Sequence, residues 1–127
     1  MRVLIADDHA VVRKGVCSLL ESRSDLELCG EATNGEEAVQ KSLQLNPDLI
    51  ILDVTMPVLD GLSAARKIRM LLPKIPILML SMHDGPEMAR SSQSVGAQGF
   101  VTKNEANEVL LKAVDVLLAG GTFLREL

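Results

Sequence analysis

Aromatic side chains are almost absent from this chain, which has no Trp, no Tyr and only two Phe among its 127 residues. Proteins that bind single-stranded nucleic acid stack bases on aromatic rings, and contact with a phosphate backbone needs a basic surface. The chain instead carries a net charge of -4. Both observations argue against nucleic-acid binding by this domain, and the core must be built from aliphatic residues and Met.

Long apolar runs and cysteine motifs are absent as well. No run approaches the roughly 18 residues of a membrane span, and the segment from Met1 to Asp7 lacks the apolar core of a signal peptide. We therefore expect a cytoplasmic protein without a membrane partner. Cys17 and Cys29 match no metal or redox spacing, so we interpret both as buried thiols. The length and the 47% hydrophobic content predict one globular domain over residues 1–127.

Short apolar runs alternate with segments of helical periodicity along the chain. The runs predict strands buried on both faces of a parallel sheet, and the segments between them predict amphipathic helices. The predicted strands cover residues 2–6, 26–32, 48–53, 75–80 and 99–103, and the helices about 10–22, 35–45, 62–72, 86–95 and 104–119. Five such repeats with right-handed crossovers predict an α/β fold of the flavodoxin-like, doubly wound kind, a five-stranded parallel sheet in the order 2-1-3-4-5.

Charged and hydroxyl side chains collect at the carboxyl ends of the predicted strands. Asp7 and Asp8 follow the first strand, Asp53 closes the third, Ser81 follows the fourth and Lys103 ends the fifth. Because the first and third strands are neighbours in the predicted order, three carboxylates converge there, and their repulsion must be offset by a cation or by raised pKa values. Carboxylate oxygens suit Mg²⁺. An ammonium and a hydroxyl beside the carboxylate complete a pocket for a phosphoryl group, which a carboxylate is able to accept.

This set of motifs resembles the CheY-like receiver domain of bacterial two-component response regulators. The matching pieces are the pair Asp7-Asp8, the segment from Asp53 to Gly61, Ser81 after an apolar strand, and the segment from Gly99 to Lys103. They occur in the family's order and cover essentially the whole chain.

The resemblance implies a signalling switch that catalyses only its own phosphoryl transfer and dephosphorylation. Asp53 would accept a phosphoryl group from a sensor histidine kinase, Lys103 would pair with that group and Ser81 would turn its hydroxyl toward it. Ser81 and Phe100 would together reshape the face of the fourth helix, fifth strand and fifth helix. The cofactor would be Mg²⁺, held by Asp7, Asp8, Asp53 and the backbone carbonyl of Thr55.

Three residues near the acceptor bear on the lifetime of the phosphate. Thr55 and His83 occupy positions that tune dephosphorylation in this family, although a solvated loop histidine is the simpler interpretation of His83. Met82 is bulky where small residues are common and is expected to restrict access to the phosphoryl group.

Two further segments resemble receivers of the NarL/FixJ group, which precede a LuxR-type helix-turn-helix. They run from Leu80 to Asp84 and from Leu118 to Phe123. We therefore expect residues 119–127 to begin a linker to a DNA-binding output domain that controls transcription, with a natural single-domain receiver as the alternative. A homodimer formed on phosphorylation is a further expected partner, its surface left open between helix 1 with helix 5 and the helix 4 to helix 5 face.

Two other functions compete with this interpretation. A haloacid-dehalogenase-type phosphatase also uses an aspartyl nucleophile and Mg²⁺, but it normally has a second acid where this chain has Thr55. A pseudo-receiver binds partners without phosphorylation, and the complete set of acids with Lys103 argues against it. Nucleotide-binding folds are disfavoured because neither glycine-rich phosphate motif is present.

Three structural expectations complete the interpretation. Asp60 is expected to cap the third helix. The fourth helix has little apolar surface, so we expect it to be weakly held and to move. On the fifth helix, Leu111 and Val116 widen the apolar belt, which indicates either a contact with a partner or deeper burial.

Overall fold

The computed structural model describes residues 1–83 and 85–124, over which five strands alternate with five helices. In chain order they are β1 (Arg2–Ala6), α1 (Ala10–Glu21), β2 (Glu27–Ala32), α2 (Gly35–Leu45), β3 (Leu49–Asp53), α3 (Gly61–Leu71), β4 (Ile77–Ser81), α4 (Pro86–Ser94), β5 (Gly99–Thr102) and α5 (Ala106–Leu118). Among these described residues no helix is both long and apolar enough to cross a bilayer.

The strands form one parallel sheet in the order β2-β1-β3-β4-β5, which confirms the predicted fold. Within it Ala6 pairs with Leu52, Asp53 with Leu80, and Ser81 with Thr102. This register aligns the carboxyl ends of four strands. The polar residues that end or follow those strands therefore share one edge of the sheet.

Side chains along each strand alternate between two apolar layers. On one face, residues such as Leu4, Ile50 and Met79 pack against α2, α3 and α4. On the other face, residues such as Ile51 and Leu80 pack against α1 and α5. All five residues of β3 and of β4 are buried, as expected of central strands covered by helices on both sides.

Polar caps begin the second and third helices where the sequence predicts them. The Asn34 side chain accepts a hydrogen bond from the Glu37 N–H at 2.8 Å, and the Asp60 side chain accepts one from the Ser63 N–H at 2.8 Å. The expected role of Asp60 is thus confirmed. Each cap satisfies a backbone donor that has no partner within its helix.

The structure differs from the sequence predictions in several places. Cys17 is buried and Cys29 only half-buried, because Cys29 lies on the edge strand β2; both are free thiols. The fifth helix begins at Ala106 rather than at residue 104. A turn displaces its start: the Glu105 carboxylate accepts hydrogen bonds from both the backbone N–H and the hydroxyl of Thr102, each at 3.0 Å.

The surfaces of the last two helices bear on two of the structural expectations. On α5, Leu111 and Val116 are half-buried against the core layer shared with α1, which favours deeper burial over an unpartnered apolar belt. On α4, the buried residues are only Ala89 and Ser92. This sparse packing agrees with the expected weak attachment of α4, while its movement stays a prediction.

The segment after α5 lies along the free edge of β5. Phe123 accepts a hydrogen bond from the Phe100 N–H at 2.9 Å, and its own N–H donates to the Gln98 carbonyl at 2.8 Å. The first part of the predicted linker therefore packs on the sheet, whereas residues 125–127 lie outside the described residues. The linker itself stays a prediction.

Candidate functional site

One ammonium group lies between two buried carboxylates at the carboxyl edge of the sheet. Asp7 is completely buried, Asp53 is 1% exposed, and the Lys103 side chain is 5% exposed. The Lys103 Nζ lies 2.9 Å from Asp7 Oδ2 and 3.2 Å from Asp53 Oδ2. Two negative charges therefore share one positive charge. Neither of these Oδ2 atoms accepts a well-directed hydrogen bond within the described part of the chain.

The environment of Asp53 disfavours its ionised form. Burial, followed by the charge of Asp7, raises the pKa of Asp53 from 3.8 to about 6. The Lys103 ammonium opposes this rise, and so does the Thr55 N–H, which donates to Asp53 Oδ1 at 3.3 Å. The carboxylate is still predominantly ionised at neutral pH. It is also more basic than an ordinary aspartate, which makes it a better nucleophile.

The backbone holds Lys103 in register with its neighbours. Its N–H donates to the Ser81 carbonyl at 2.8 Å, which continues the ladder between β4 and β5 by one residue. Directly before it, Thr102 is tied to Glu105 by the turn described above. The buried ammonium is therefore carried on a segment fixed at both ends.

The end of β1 is held from two sides. The Asp7 N–H donates to the Ala32 carbonyl of β2 at 3.0 Å, and the Arg13 guanidinium donates to the Asp7 carbonyl at 2.7 Å. Arg13 also pairs with Glu31 at 2.9 Å. These contacts fix the backbone from which Asp7 and Asp8 project, and no sequence motif predicts them. The Asp8 side chain is 32% exposed and faces the solvent side of the site.

A close backbone contact brings the loop after β3 back to the site. A Cβ added at Gly61 would lie 1.8 Å from the Asp53 carbonyl oxygen, so only glycine fits at this position. The Gly61 N–H donates to the Val54 carbonyl at 2.8 Å. The Asp60-Gly61 pair thus starts α3 directly beside the end of β3.

The remaining predicted site residues lie around the Asp7, Asp53 and Lys103 cluster. Ser81 is buried, and its hydroxyl accepts a hydrogen bond from the His83 N–H at 3.0 Å. Within the described residues no hydrogen bond joins that hydroxyl to Asp53 or Lys103. Phe100 is buried in the core layer beside α4, while Met82 is 60% exposed and His83 is exposed.

His9 belongs to the site and was missed in the sequence analysis. Its Nδ1 lies 3.3 Å from Asp7 Oδ1, 3.3 Å from Asp8 Oδ1 and 3.8 Å from Asp53 Oδ2. The Lys103 Nζ is also 3.3 Å from this nitrogen. The available signal was its position directly after the acidic pair, at the same strand end.

The donor set suits a divalent cation. Single ligand atoms of Asp7, Asp8, His9 and Asp53 all lie within 4.8 Å of one another. The Oδ2 atoms of Asp7 and Asp53 accept no well-directed hydrogen bond within the described residues, and these two carboxylates share a single lysine while Asp8 adds a third negative charge beside them. A hard cation would supply the missing positive charge. The predicted contribution of the Thr55 carbonyl stays a prediction.

Comparison with known proteins agrees with this geometry. Residues 3–115 match the response regulator receiver domain family. The chain is 41% identical over 125 residues to the oxygen regulatory protein NreC of Staphylococcus epidermidis, an alignment that covers 98% of this chain and 57% of NreC. The chain thus spans little more than half of that relative.

Two solved structures extend the comparison to three dimensions. A LuxR-family two-component response regulator from Aurantimonas sp. has a TM-score of 0.92 at 34% identity, covering 96% of this chain and 87% of that chain. The receiver domain of the response regulator NarL from Mycobacterium tuberculosis has a TM-score of 0.86 at 31% identity, with coverage of 94% and 96%. The chain therefore belongs to the response regulator receiver domain family and, within it, to the NarL/FixJ group.

Proposed function

We propose that this domain is switched by phosphorylation of Asp53. The observation that carries the proposal is the juxtaposition of a buried, unusually basic carboxylate with one ammonium and two further acids. An Asp53 oxygen would attack the phosphorus of a phosphohistidine on a kinase. The phosphorus–nitrogen bond then breaks, its electron pair stays with the imidazole, and an aspartyl phosphate forms.

The side chains around Asp53 have separate roles in this step. Lys103 lies close enough to Asp53 to pair with a phosphoryl oxygen there. Asp7, Asp8, Asp53 and the Thr55 carbonyl would hold Mg²⁺, which would neutralise charge on the phosphoryl oxygens. In dephosphorylation, water attacks the phosphorus, the bond between phosphorus and the Asp53 oxygen breaks, and the carboxylate is restored as inorganic phosphate leaves. Catalysis by the domain extends to these two reactions on its own Asp53.

The switch would run from Ser81 to Phe100 and onward. The Ser81 hydroxyl accepts from the His83 N–H and keeps its own proton for donation to a phosphoryl oxygen. That contact would draw the end of β4 toward the site and open space beside Phe100, which is buried next to α4. Because the Phe100 N–H bonds to Phe123, a change at Phe100 reaches the segment that follows α5.

The proposed partners are a cognate sensor histidine kinase and a C-terminal DNA-binding output domain. NreC and the Bacillus subtilis transcriptional regulatory protein LnrK, which is 33% identical over 124 residues, are both longer than the part that this chain matches. The names of these relatives are those of regulators, and LnrK is named a transcriptional one. We extend that output to this chain, with a cytoplasmic location, as part of the proposal.

Acetyl phosphate tests the proposal without the kinase. The 127-residue chain is incubated with acetyl phosphate and Mg²⁺, and intact mass spectrometry is expected to show one acid-stable, base-labile phosphoryl adduct. Asp53→Asn should carry none. Asp60→Asn makes the same chemical change at an exposed helix cap and should be phosphorylated like the wild type.

Two results would reject the proposal. One is the absence of an adduct on the wild type with Mg²⁺, and the other is an undiminished adduct on Asp53→Asn. Hydrolysis of many equivalents of a phosphate ester per protein would instead support the phosphatase alternative.

A further inference from the structure

We propose that His9 makes this cation site a nitrogen-containing one, which binds first-row transition ions such as Co²⁺ or Zn²⁺ through the His9 imidazole. The proposal rests on the proposed function only in placing a cation among Asp7, Asp8 and Asp53. It adds a ligand that Mg²⁺ does not favour, because imidazole suits transition ions whereas Mg²⁺ prefers oxygen.

The separations of the ligand atoms support a shared ion. Tetrahedral coordination with bonds of about 2.0–2.1 Å puts neighbouring ligand atoms about 3.3–3.4 Å apart. The His9 Nδ1 lies 3.3 Å from an oxygen of Asp7, 3.3 Å from one of Asp8 and 3.8 Å from one of Asp53. The separations from Asp7 and Asp8 match those of two ligands on one ion, the separation from Asp53 is longer, and all four ligand atoms lie within 4.8 Å of one another.

A backbone hydrogen bond holds His9 beside Asp7, although the His9 side chain lies at the surface. The His9 N–H donates to Asp7 Oδ1 at 2.8 Å, so one carboxylate orients the residue that carries the imidazole. His9 precedes α1 as its N-cap without a side-chain cap bond, and its Nδ1 faces the Asp7 carboxylate and the Lys103 ammonium, each at 3.3 Å. The imidazole is 55% exposed, which leaves a path for an ion to enter from solvent.

A second, independent observation points to a ligand at this place. The Oδ2 atoms of Asp7 and Asp53 are buried and accept no hydrogen bond within residues 1–83 and 85–124. Lys103 offsets one charge of the pair. An added dication would offset the remaining negative charge. The imidazole nitrogen of His9 would then favour a transition ion over Mg²⁺.

The test compares metal affinities of the untagged chain by isothermal titration calorimetry. The expected result is that His9→Asn weakens Co²⁺ binding at least about tenfold, the lower end of what the loss of a metal's supporting contacts costs. Mg²⁺ affinity should change by less than about twofold, because Mg²⁺ prefers oxygen ligands. His83→Asn is the matched control, since the chain has only two histidines and His83 also lies at the carboxyl edge.

Proton NMR of the Co²⁺ complex provides the direct signature. A ligating imidazole gives strongly shifted resonances, which should be present in the wild type and in His83→Asn and absent in His9→Asn. Excess Mg²⁺ should displace the Co²⁺. Asparagine is a favourable N-cap, so His9→Asn is expected to fold.

Distinct outcomes reject the two proposals. Equal Co²⁺ affinity in the wild type and His9→Asn, shifted resonances that survive in His9→Asn, or Co²⁺ that Mg²⁺ does not displace would overturn the role of His9 alone. Failure of the wild type to bind either Mg²⁺ or Co²⁺ would remove the cation site itself, on which the proposed function also depends.

Discussion

Replacing Asp53 with asparagine is expected to stabilise the protein when no divalent cation is bound. Asp53 is 1% exposed, and burial together with the charge of Asp7 raises its pKa to about 6. The folded state therefore disfavours the ionised carboxylate more than the unfolded chain does. Asparagine has nearly the same shape and no charge, so the variant is relieved of this penalty.

The magnitude follows from the pKa shift. In the unfolded chain the carboxyl of Asp53 titrates near 3.8, and in the folded protein near 6. Between these pH values the folded state binds more protons than the unfolded state, so stability falls as pH rises and stays low above pH 6. At about 1.4 kcal/mol per pKa unit, the penalty is on the order of 3 kcal/mol. Because asparagine brings a buried amide, we expect a net gain of about 1–3 kcal/mol.

Urea and thermal unfolding, followed by circular dichroism in EDTA at pH 7.5, measure this difference. For a chain of this size each kcal/mol corresponds to roughly 4 °C in Tm. At pH 5 the advantage of Asp53→Asn should shrink to about half, because the wild-type carboxyl has regained its proton. Mg²⁺ should also shrink it, since an ion at 100 times its Kd stabilises the wild type by about 2.7 kcal/mol.

The exposed carboxylate of Asp60 provides the control. Asp60→Asn makes the same chemical change, and asparagine caps a helix as well as aspartate does, so its stability should change by less than about 0.5 kcal/mol. If the wild type in EDTA at pH 7.5 is as stable as Asp53→Asn or more so, the buried charge carries no penalty. The account of the site's electrostatics would then be wrong.

The remaining predictions concern the ammonium and the loop beside the same carboxylate. Lys103→Ala leaves two buried acids without their cation. Urea unfolding in EDTA should show a loss of stability of about 3–5 kcal/mol. A loss below about 1 kcal/mol would show that the ammonium is not needed to balance the two carboxylates. Gly61→Ala puts a Cβ 1.8 Å from the Asp53 carbonyl oxygen and should cost at least about 2 kcal/mol and slow labelling by acetyl phosphate. Its control, Gly15→Ala, meets no atom within 4 Å on α1 and should stabilise the protein by up to about 1 kcal/mol. Equal effects of the two glycine variants would contradict the close approach at Gly61.

The strand order of the sheet and the proximity of Asp7, Asp53 and Lys103 were predictable from the sequence. Apolar runs long enough for a strand and too short for a helix identified the strands. The predicted strand order put the third strand, which ends in Asp53, next to the first, which precedes Asp7 and Asp8. Parallel strands with helical crossovers leave few arrangements. The meeting of Asp7, Asp53 and Lys103 followed from that arrangement, since all three lie at carboxyl ends of the sheet.

Other features depend on side-chain directions or on a backbone pairing, and periodicity reveals neither. His9 was missed because its importance comes from the turn that directs its ring back toward Asp7. The Arg13 guanidinium donates to the Asp7 carbonyl from α1, and because Arg13 belongs to no motif, the sequence did not indicate this contact. The pairing of Phe123 with β5 was missed because a short polar and glycine-rich stretch precedes it, which is typical of a linker.

The features that destabilise this site without a cation are also the ones that give it a function. The fold places Asp7 and Asp53 at the ends of two neighbouring strands, where burial removes water and a single ammonium faces both. If solvent screened the charges of these carboxylates, the folded protein would be more stable. The carboxylates would then attract a dication and a phosphoryl group less strongly. The gain in stability and the loss of cation affinity in Asp53→Asn should therefore both come from removing the buried negative charge. A variant that raises stability in EDTA should lower Mg²⁺ affinity, provided that it acts on these two carboxylates.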